Sequence, residues 1–448
     1  MNLVRTPTGG RRRYLRSFSG NMDARSDPAA LPDGRASFIS GFDVTDGALT
    51  DGYGVEEVEK YAGKTGTGVW RFSLYDAEAE EYVTYDMYCD AGGYLYFDSG
   101  SGWNLIGGAN FSAPPSAVGY RLNGEDSVLF TSPSDRMRVW KGGTSAHVVD
   151  SPYITSMAIH FERMFATTSG ESNAVYFSDD LDPTNWNDSS LDEGGYVQLL
   201  DSRGRLLAVA DFLNYVYVFR EYGITRLTAY ADQEDFRAVN LYVAGGRIYG
   251  GSVCACGDTV MLLASDGLHS FDGYSVSDKL RGVKFLPSPD ASAVYADGLY
   301  YLAACTAVEG ANDTLVVLDV SDGTFTTSKL DIKRLCVVGD DVYAIMSDGK
   351  IGRVCRCGAR FGVPLEKTWE SGEYDGGVPE KKTVRYVAVR SDGAACVTVI
   401  ADGAEHDFPV GAGLTRIKPA VSGSVLKFRI TSSSPGARIR GFSYCVSG

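Results

Sequence analysis

The chain reads as an all-β protein: a β-propeller of about seven blades, with an extended N-terminal arm and a C-terminal β-sandwich. Three observations predict this. Tyr (27), Phe (20) and Gly (53) are abundant, which suits many short strands joined by tight turns rather than long helices. Paired apolar runs recur through the middle of the chain at roughly 35 to 45 residues, the period of a repeat architecture. Near residue 358 the rhythm changes to longer runs that alternate apolar and polar, the pattern of half-buried strands. A chain of 448 residues exceeds one ordinary core, so two or three domains are expected.

Residues 1–65 form the arm. Asp27-Pro28, Pro32-Asp33-Gly34, Asp46-Gly47 and Asp51-Gly52 are turn signals. Only Val55–Tyr61 (VEEVEKY) has a helical look. The expectation is an irregular segment that gains shape by lying on its own propeller or on a neighbour. Its first twenty residues hold Arg5, Arg11, Arg12, Arg13 and Arg16 and no acid. These five arginines are the candidate partner-binding residues, for a neighbouring chain or for phosphates that the acidic body does not bind.

Residues 66–357 form the propeller. The paired runs, in order, are Tyr94–Phe97 with Trp103–Ile106, Ser127–Phe130 with Arg138–Trp140, Arg163–Ala166 with Ala174–Phe177, and Tyr215–Phe219 with Ile224–Leu227. Thr259–Leu263 with Leu268–Phe271, Leu299–Leu302 with Leu315–Leu318, and Asp341–Ile345 with Ile351–Val354 complete the series. Each pair reads as a buried inner hairpin. Asp266-Gly267 and Asp348-Gly349 close two of them with a strong hairpin signal. Each unit then runs into a more polar strand such as Thr324–Leu330. One such sheet cannot bury both its faces, whereas blades packed radially around an axis do.

Residues 358–448 form the sandwich. Val384–Val389, Ala395–Ile400, Thr415–Lys418, Val425–Ile430 and Arg438–Tyr444 alternate, with Asp392-Gly393 and Asp402-Gly403 as turns. This is the pattern of antiparallel sheets packed face to face.

The net charge of −15 argues against a surface that grips nucleic acid broadly, because phosphates require Lys and Arg. It fits a solvated surface, or an acidic channel along which DNA slides. Nine cysteines are present, with C-x-C pairs at Cys254/Cys256 and Cys355/Cys357. Structural zinc sites favour wider spacing and further Cys or His partners, so reduced, partly buried thiols in a reducing cytoplasm are expected, with a metal site or a disulfide as the minor alternative. No apolar stretch follows the N-terminal charges as a secretory signal would require, and no apolar window is long enough for a membrane anchor.

No P-loop, dinucleotide fingerprint, HExxH, G-x-S-x-G or EF-hand pattern occurs. The run Ser178-Asp179-Asp180-Leu181-Asp182-Pro183-Thr184-Asn185-Trp186 approximates the Asp-box turn of sialidase-type propellers, with Asp182 in place of Gly and one extra residue before Trp186. It reads as a blade-edge loop pinned by Trp186, with Ca²⁺ on Asp179, Asp180 and Asp182 as the minor alternative. Asp340-Asp341 and Glu80-Glu81 read as surface pairs. No catalytic residue, cofactor or metal ligand is assigned.

The run from Gly20-Asn21-Met22-Asp23-Ala24-Arg25 to Leu31-Pro32-Asp33-Gly34-Arg35-Ala36, followed by Phe42–Leu49, resembles the opening of a family of tailed-phage virion proteins. Ala174–Trp186, Gly204–Val209, Val218–Ile224, Trp369–Gly372 and Lys381–Arg385 are similar to later motifs of the same family. It comprises tail-hub, nozzle and packaged-DNA-stabilisation proteins of short-tailed phages. The resemblance implies a homo-hexameric ring below the portal, located in the virion tail and assembled in the bacterial host cytoplasm. It implies contacts with a portal or adaptor ring and other tail proteins, non-specific contact with passing DNA, and no catalysis. A propeller glycan-binding protein or glycosidase acting on a cell surface is the alternative.

Overall fold

A computed structural model describes residues 11–15, 18, 22–24, 26–32 and 34–447, except 78, 188, 190–192, 231–232, 281 and 376–379. Their architecture is all-β, a seven-bladed propeller joined to a two-sheet sandwich. Six blades are four-stranded antiparallel sheets continuous in sequence. They begin with the strands Gly66–Asp76, Ser116–Leu122, Ile154–His160, Leu206–Phe212, Cys254–Cys256 and Ser292–Ala296. The seventh is built from Ile332–Val338, Asp341–Met346 and Ile351–Cys355, and its fourth strand is Gly54–Glu57 from the arm. The first strand of blade seven packs against the first strand of blade one, which closes the ring.

Packing follows from the geometry of the blades. The buried apolar side chains fall into seven clusters: six each fill one gap between neighbouring blades, and the seventh joins the gap between blades five and six to the core of the sandwich. Successive residues of a strand point to opposite faces. So Tyr300, Leu302 and Ala304 join the cluster shared with blade five, while Tyr301 and Ala303 join the one shared with blade seven. A strand buried on both faces reads as a continuous apolar run. The apolar pairs that read as buried inner hairpins are therefore the second and third strands of blades two to seven. In blade one they are the third and fourth strands, Tyr94–Asp98 and Asn104–Asn110.

The arm is not irregular where it is described. Ala36–Ser40 joins Lys367–Ser371, Leu426–Ser432, Ala395–Ala401 and Ala404–Val410 in one sandwich sheet. Phe42–Thr45 and Ala48–Asp51 join Ile439–Ser447, Lys382–Ser391 and Gly413–Ile417 in the other. The sandwich expected from 358–448 thus needs strands from both ends of the chain. Gly41 is where the arm crosses from one sheet to the other. Its φ of +71° and the Glu366 carbonyl 3.0 Å from where a Cβ would sit favour glycine there. The helical look of Val55–Tyr61 gives way to the strand Gly54–Glu57 and a single 3₁₀ turn at Glu59–Tyr61. Val55 is fully buried in the cluster between blades six and seven, and that packing overrides a weak local helix preference.

The sandwich sits on blade six. The Gly41 N–H donates to the Thr327 carbonyl at 2.7 Å, and Thr327 Oγ1 donates to the Ile39 carbonyl at 2.6 Å. This explains why Phe325–Lys329, an outer strand of polar residues, is buried over four of its five positions.

Candidate interaction surfaces

Three of the five candidate arginines are placed. Arg11, Arg12 and Arg13 lie in the strand Arg11–Leu15, antiparallel to the last strand, opposite Val446, Cys445 and Tyr444. An irregular arm lying on its own propeller or on a neighbour was expected, and this part of it is a strand of the sandwich sheet instead. Backbone pairing depends little on side-chain identity, so a charged segment can dock on an open edge. Among the described residues the strand has a partner strand on one side only. Arg5 and Arg16 lie outside the described residues.

The propeller axis opens into a cavity of about 950 Å³ lined by first strands and their approaches, including Thr67, Ser116, Thr155, Ser292, Lys333 and Arg334. Among its lining residues Asp290 is the one carboxylate, and Lys333 and Arg334 the two cations. The protein's overall acidity is therefore not concentrated here. Arg334 spans the cavity wall. Its guanidinium donates to the Pro115 carbonyl at 2.7 Å, the Thr67 carbonyl at 3.2 Å and Ser116 Oγ at 3.1 Å. One side chain from blade seven thus clasps blades one and two. Ser292 Oγ accepts from Leu335 N–H at 3.0 Å and Ser156 Oγ from Val209 N–H at 3.1 Å, bonds that tie further neighbouring blades. Replacing Arg334 by Ala is expected to cost about 2–3 kcal/mol, since three acceptors lose a charged donor. Arg334→Lys recovers only part, because an ammonium lacks the planar fork. Urea midpoints of the three proteins check both.

The Asp-box-like loop is held by its own carboxylates. Asp182 Oδ1 accepts from Thr184 N–H at 2.9 Å and from Thr184 Oγ1 at 2.5 Å. Asp179 accepts from Asn185 Nδ2 at 2.9 Å and from Glu193 N–H at 3.3 Å. Trp186 packs partly buried against the cluster between blades two and three. This is the pinned turn expected from the sequence. Among the described residues no group of three or more His, Cys, Asp or Glu is arranged to hold a metal ion.

Residues quoted for the phage resemblance also serve packing. Arg220 is fully buried and forms an ion pair with Asp201 at 2.8 Å, while its Nη2 donates to the Gly204 carbonyl at 3.2 Å. Burial alone would raise the Asp201 carboxyl, but the Arg203 N–H and the Arg220 guanidinium bring it down to about 2. Glu221 Oε2 accepts from the Arg205 N–H at 3.2 Å.

All nine cysteines are free thiols. Cys254 and Cys256 lie in an extended strand of blade five, opposite Met261 and Thr259. Cys355 ends the third strand of blade seven, opposite Gly54, and Cys357 lies just beyond it. No local signal in the sequence distinguishes the two pairs or identifies Arg334 as a clasp, because the partners come from distant segments.

No family model matches the chain, and no curated protein matches it. Solved structures resemble it at low identity. The computationally designed Ika8 protein has 12% identity and a TM-score of 0.41, covering 67% of this chain and 99% of that one. BamB from Moraxella catarrhalis has 12% identity and a TM-score of 0.40, covering 71% and 92%. The extracellular domain of BT4673 from B. thetaiotaomicron has 9% identity and a TM-score of 0.43, covering 74% and 42%.

Proposed function

We propose that this chain is a phage virion structural protein of the tail or head–tail region. As a tail hub or nozzle it assembles as a ring below the portal, retains packaged DNA and lines its exit channel. The observation that carries the reading is the strand Arg11–Leu15, zipped to the last strand and open along its other side among the described residues. An open edge offers unpaired N–H and C=O groups to a neighbouring chain, and three consecutive arginines suit an acidic partner or a phosphate. The N- and C-terminal parts of the chain meet there, on the sandwich rather than on the blades. The net charge of −15 leaves the body unsuited to hold DNA tightly, as a passage for moving DNA requires. The carboxylates of the Asp-box-like loop hold that loop, a use that fits a scaffold.

The expected assembly is a closed ring of six copies. Light scattering of the full chain, alone and with a portal protein, measures it. A strict monomer under both conditions overturns the ring. Removal of residues 1–17 is expected to abolish attachment to the portal and to lower the DNA content of assembled particles. Particles with unchanged assembly and DNA content would remove the edge strand from the interface. Turnover of a glycan by the purified chain, lost when one carboxylate is replaced, would favour the glycosidase reading instead.

A further inference from the structure

The two C-x-C pairs share a sequence pattern but differ in backbone. In the extended strand of blade five, positions i and i+2 stand about 6.6 Å apart, two strand rises, near the upper limit for bridging. At the other pair the Cys357 N–H donates to the Cys355 carbonyl at 3.0 Å. That i+2 to i bond is a γ-turn, which folds the chain and draws the two residues together. Within each pair the two thiols lie within hydrogen-bond reach of each other, but Cys355 and Cys357 are both partly exposed, whereas Cys256 is buried.

The surroundings define the site. Cys355 pairs with Gly54, Gly358 N–H donates to the Gly52 carbonyl at 3.1 Å, and Cys357 Sγ donates to the Ala359 carbonyl at 3.4 Å. A Cβ on Gly54 would stand 2.8 Å from Cys357 Sγ. The pair therefore sits in the seam where the arm closes the propeller ring.

We propose that Cys355 and Cys357 form a thiol–disulfide exchange site that cycles between a dithiol and an intramolecular disulfide, with a small-molecule disulfide as co-reactant. The Cys357 thiolate attacks one sulfur of that disulfide. A mixed disulfide forms and one small thiolate leaves. Cys355 Sγ, its proton passing to water, then attacks Cys357 Sγ. The intramolecular S–S bond forms and the second small thiolate leaves. The protein loses two electrons and the small disulfide gains them, becoming two thiols. The hydrogen bond from Cys355 draws the Cys357 thiol below its ordinary value, against burial. The same bond, with burial and Glu56, raises Cys355. Cys357 is thus the attacking sulfur and Cys355 the resolving one.

The test uses the reduced full chain and bis(2-hydroxyethyl) disulfide, read by intact mass and peptide mapping. The wild type is expected to lose two hydrogens in mass, with the bridge between Cys355 and Cys357. In Cys355→Ser the reaction stops at a stable adduct on Cys357. In Cys357→Ser the initial rate falls about tenfold or more. Cys254→Ser, on the extended pair, reacts as the wild type does. The wild-type measurement stands even where a variant misfolds. A bridge mapped to Cys254 and Cys256, or both seam thiols still free to alkylate after treatment, overturns the proposal.

Discussion

Gly54→Val is expected to cost more than about 4 kcal/mol, an exceptional loss for one substitution, and to leave little soluble chain. The strand Gly54–Glu57 lies between two neighbours. It pairs antiparallel with Gly352–Cys355 on one side and bridges Arg360 in parallel on the other. A Cβ on Gly54 would stand 2.2 Å from the Ala359 carbonyl oxygen and 2.7 Å from the Ala359 nitrogen. Both are backbone atoms, so no side-chain rotation relieves the clash. The strand must leave the ladder, and Tyr53 and Val55 leave the cluster between blades six and seven with it. An open ring also exposes strand edges, which invites aggregation. Gly170→Ala is the control. A Cβ there meets nothing within 4 Å, and its cost is expected to stay within about 0.5 kcal/mol. Urea unfolding of both variants decides the point. A wild-type midpoint for Gly54→Val would mean that the seam does not hold the ring.

What could be read in the sequence was set by burial. Leu299–Ala304 was legible because neighbouring blades cover both its faces, so its six residues form one unbroken apolar run. The first strands of blades three and six were not, since Ser156 and Ser292 there serve as polar links between blades and interrupt the apolar pattern. The Asp-box-like loop was legible because its bonds are local, Asp182 to Thr184 and Asp179 to Asn185. The seam was not, because Glu56 and its ion partner Arg353 are 297 positions apart and nothing local specifies such a register. The same limit applies to Arg11–Leu15. Its charge suggested a partner-binding arm, whereas its backbone pairing with residues 442–446 depends on an open edge elsewhere in the fold.

The second large effect is expected at Lys367 and Asp51. Lys367 is 1% exposed in its side chain and Asp51 14%, and the two form an ion pair beneath the sandwich. Lys367 Nζ also donates to the Ser434 carbonyl at 2.7 Å, and it lies 5.7 Å from the centre of the Phe42 ring. Asp51 accepts a second bond from the Gly436 N–H at 2.8 Å. The pair therefore fastens the arm hairpin Phe42–Asp51 to Lys367–Ser371 of the opposite sheet and to the turn before the last strand. Removing one partner of a buried pair leaves an uncompensated charge and costs about 3–5 kcal/mol. The two single variants should not be equal. Asp51→Ala leaves the deeper group, the ammonium, with one carbonyl, and takes the full cost. Lys367→Met leaves the carboxylate nearer to water and still bonded to Gly436, so it costs less. The double variant Asp51→Leu, Lys367→Met buries apolar groups of similar size. It is expected to recover most of the loss, short of the wild type by about 1–2 kcal/mol for the unpaired Gly436 N–H. Thermal and urea unfolding of these variants, with Asp51→Leu alone to complete the double-mutant cycle, measure the coupling. Additive losses, or a Lys367→Met as damaging as Asp51→Ala, would show that the pair is not a coupled, buried fastening between the arm and the sandwich.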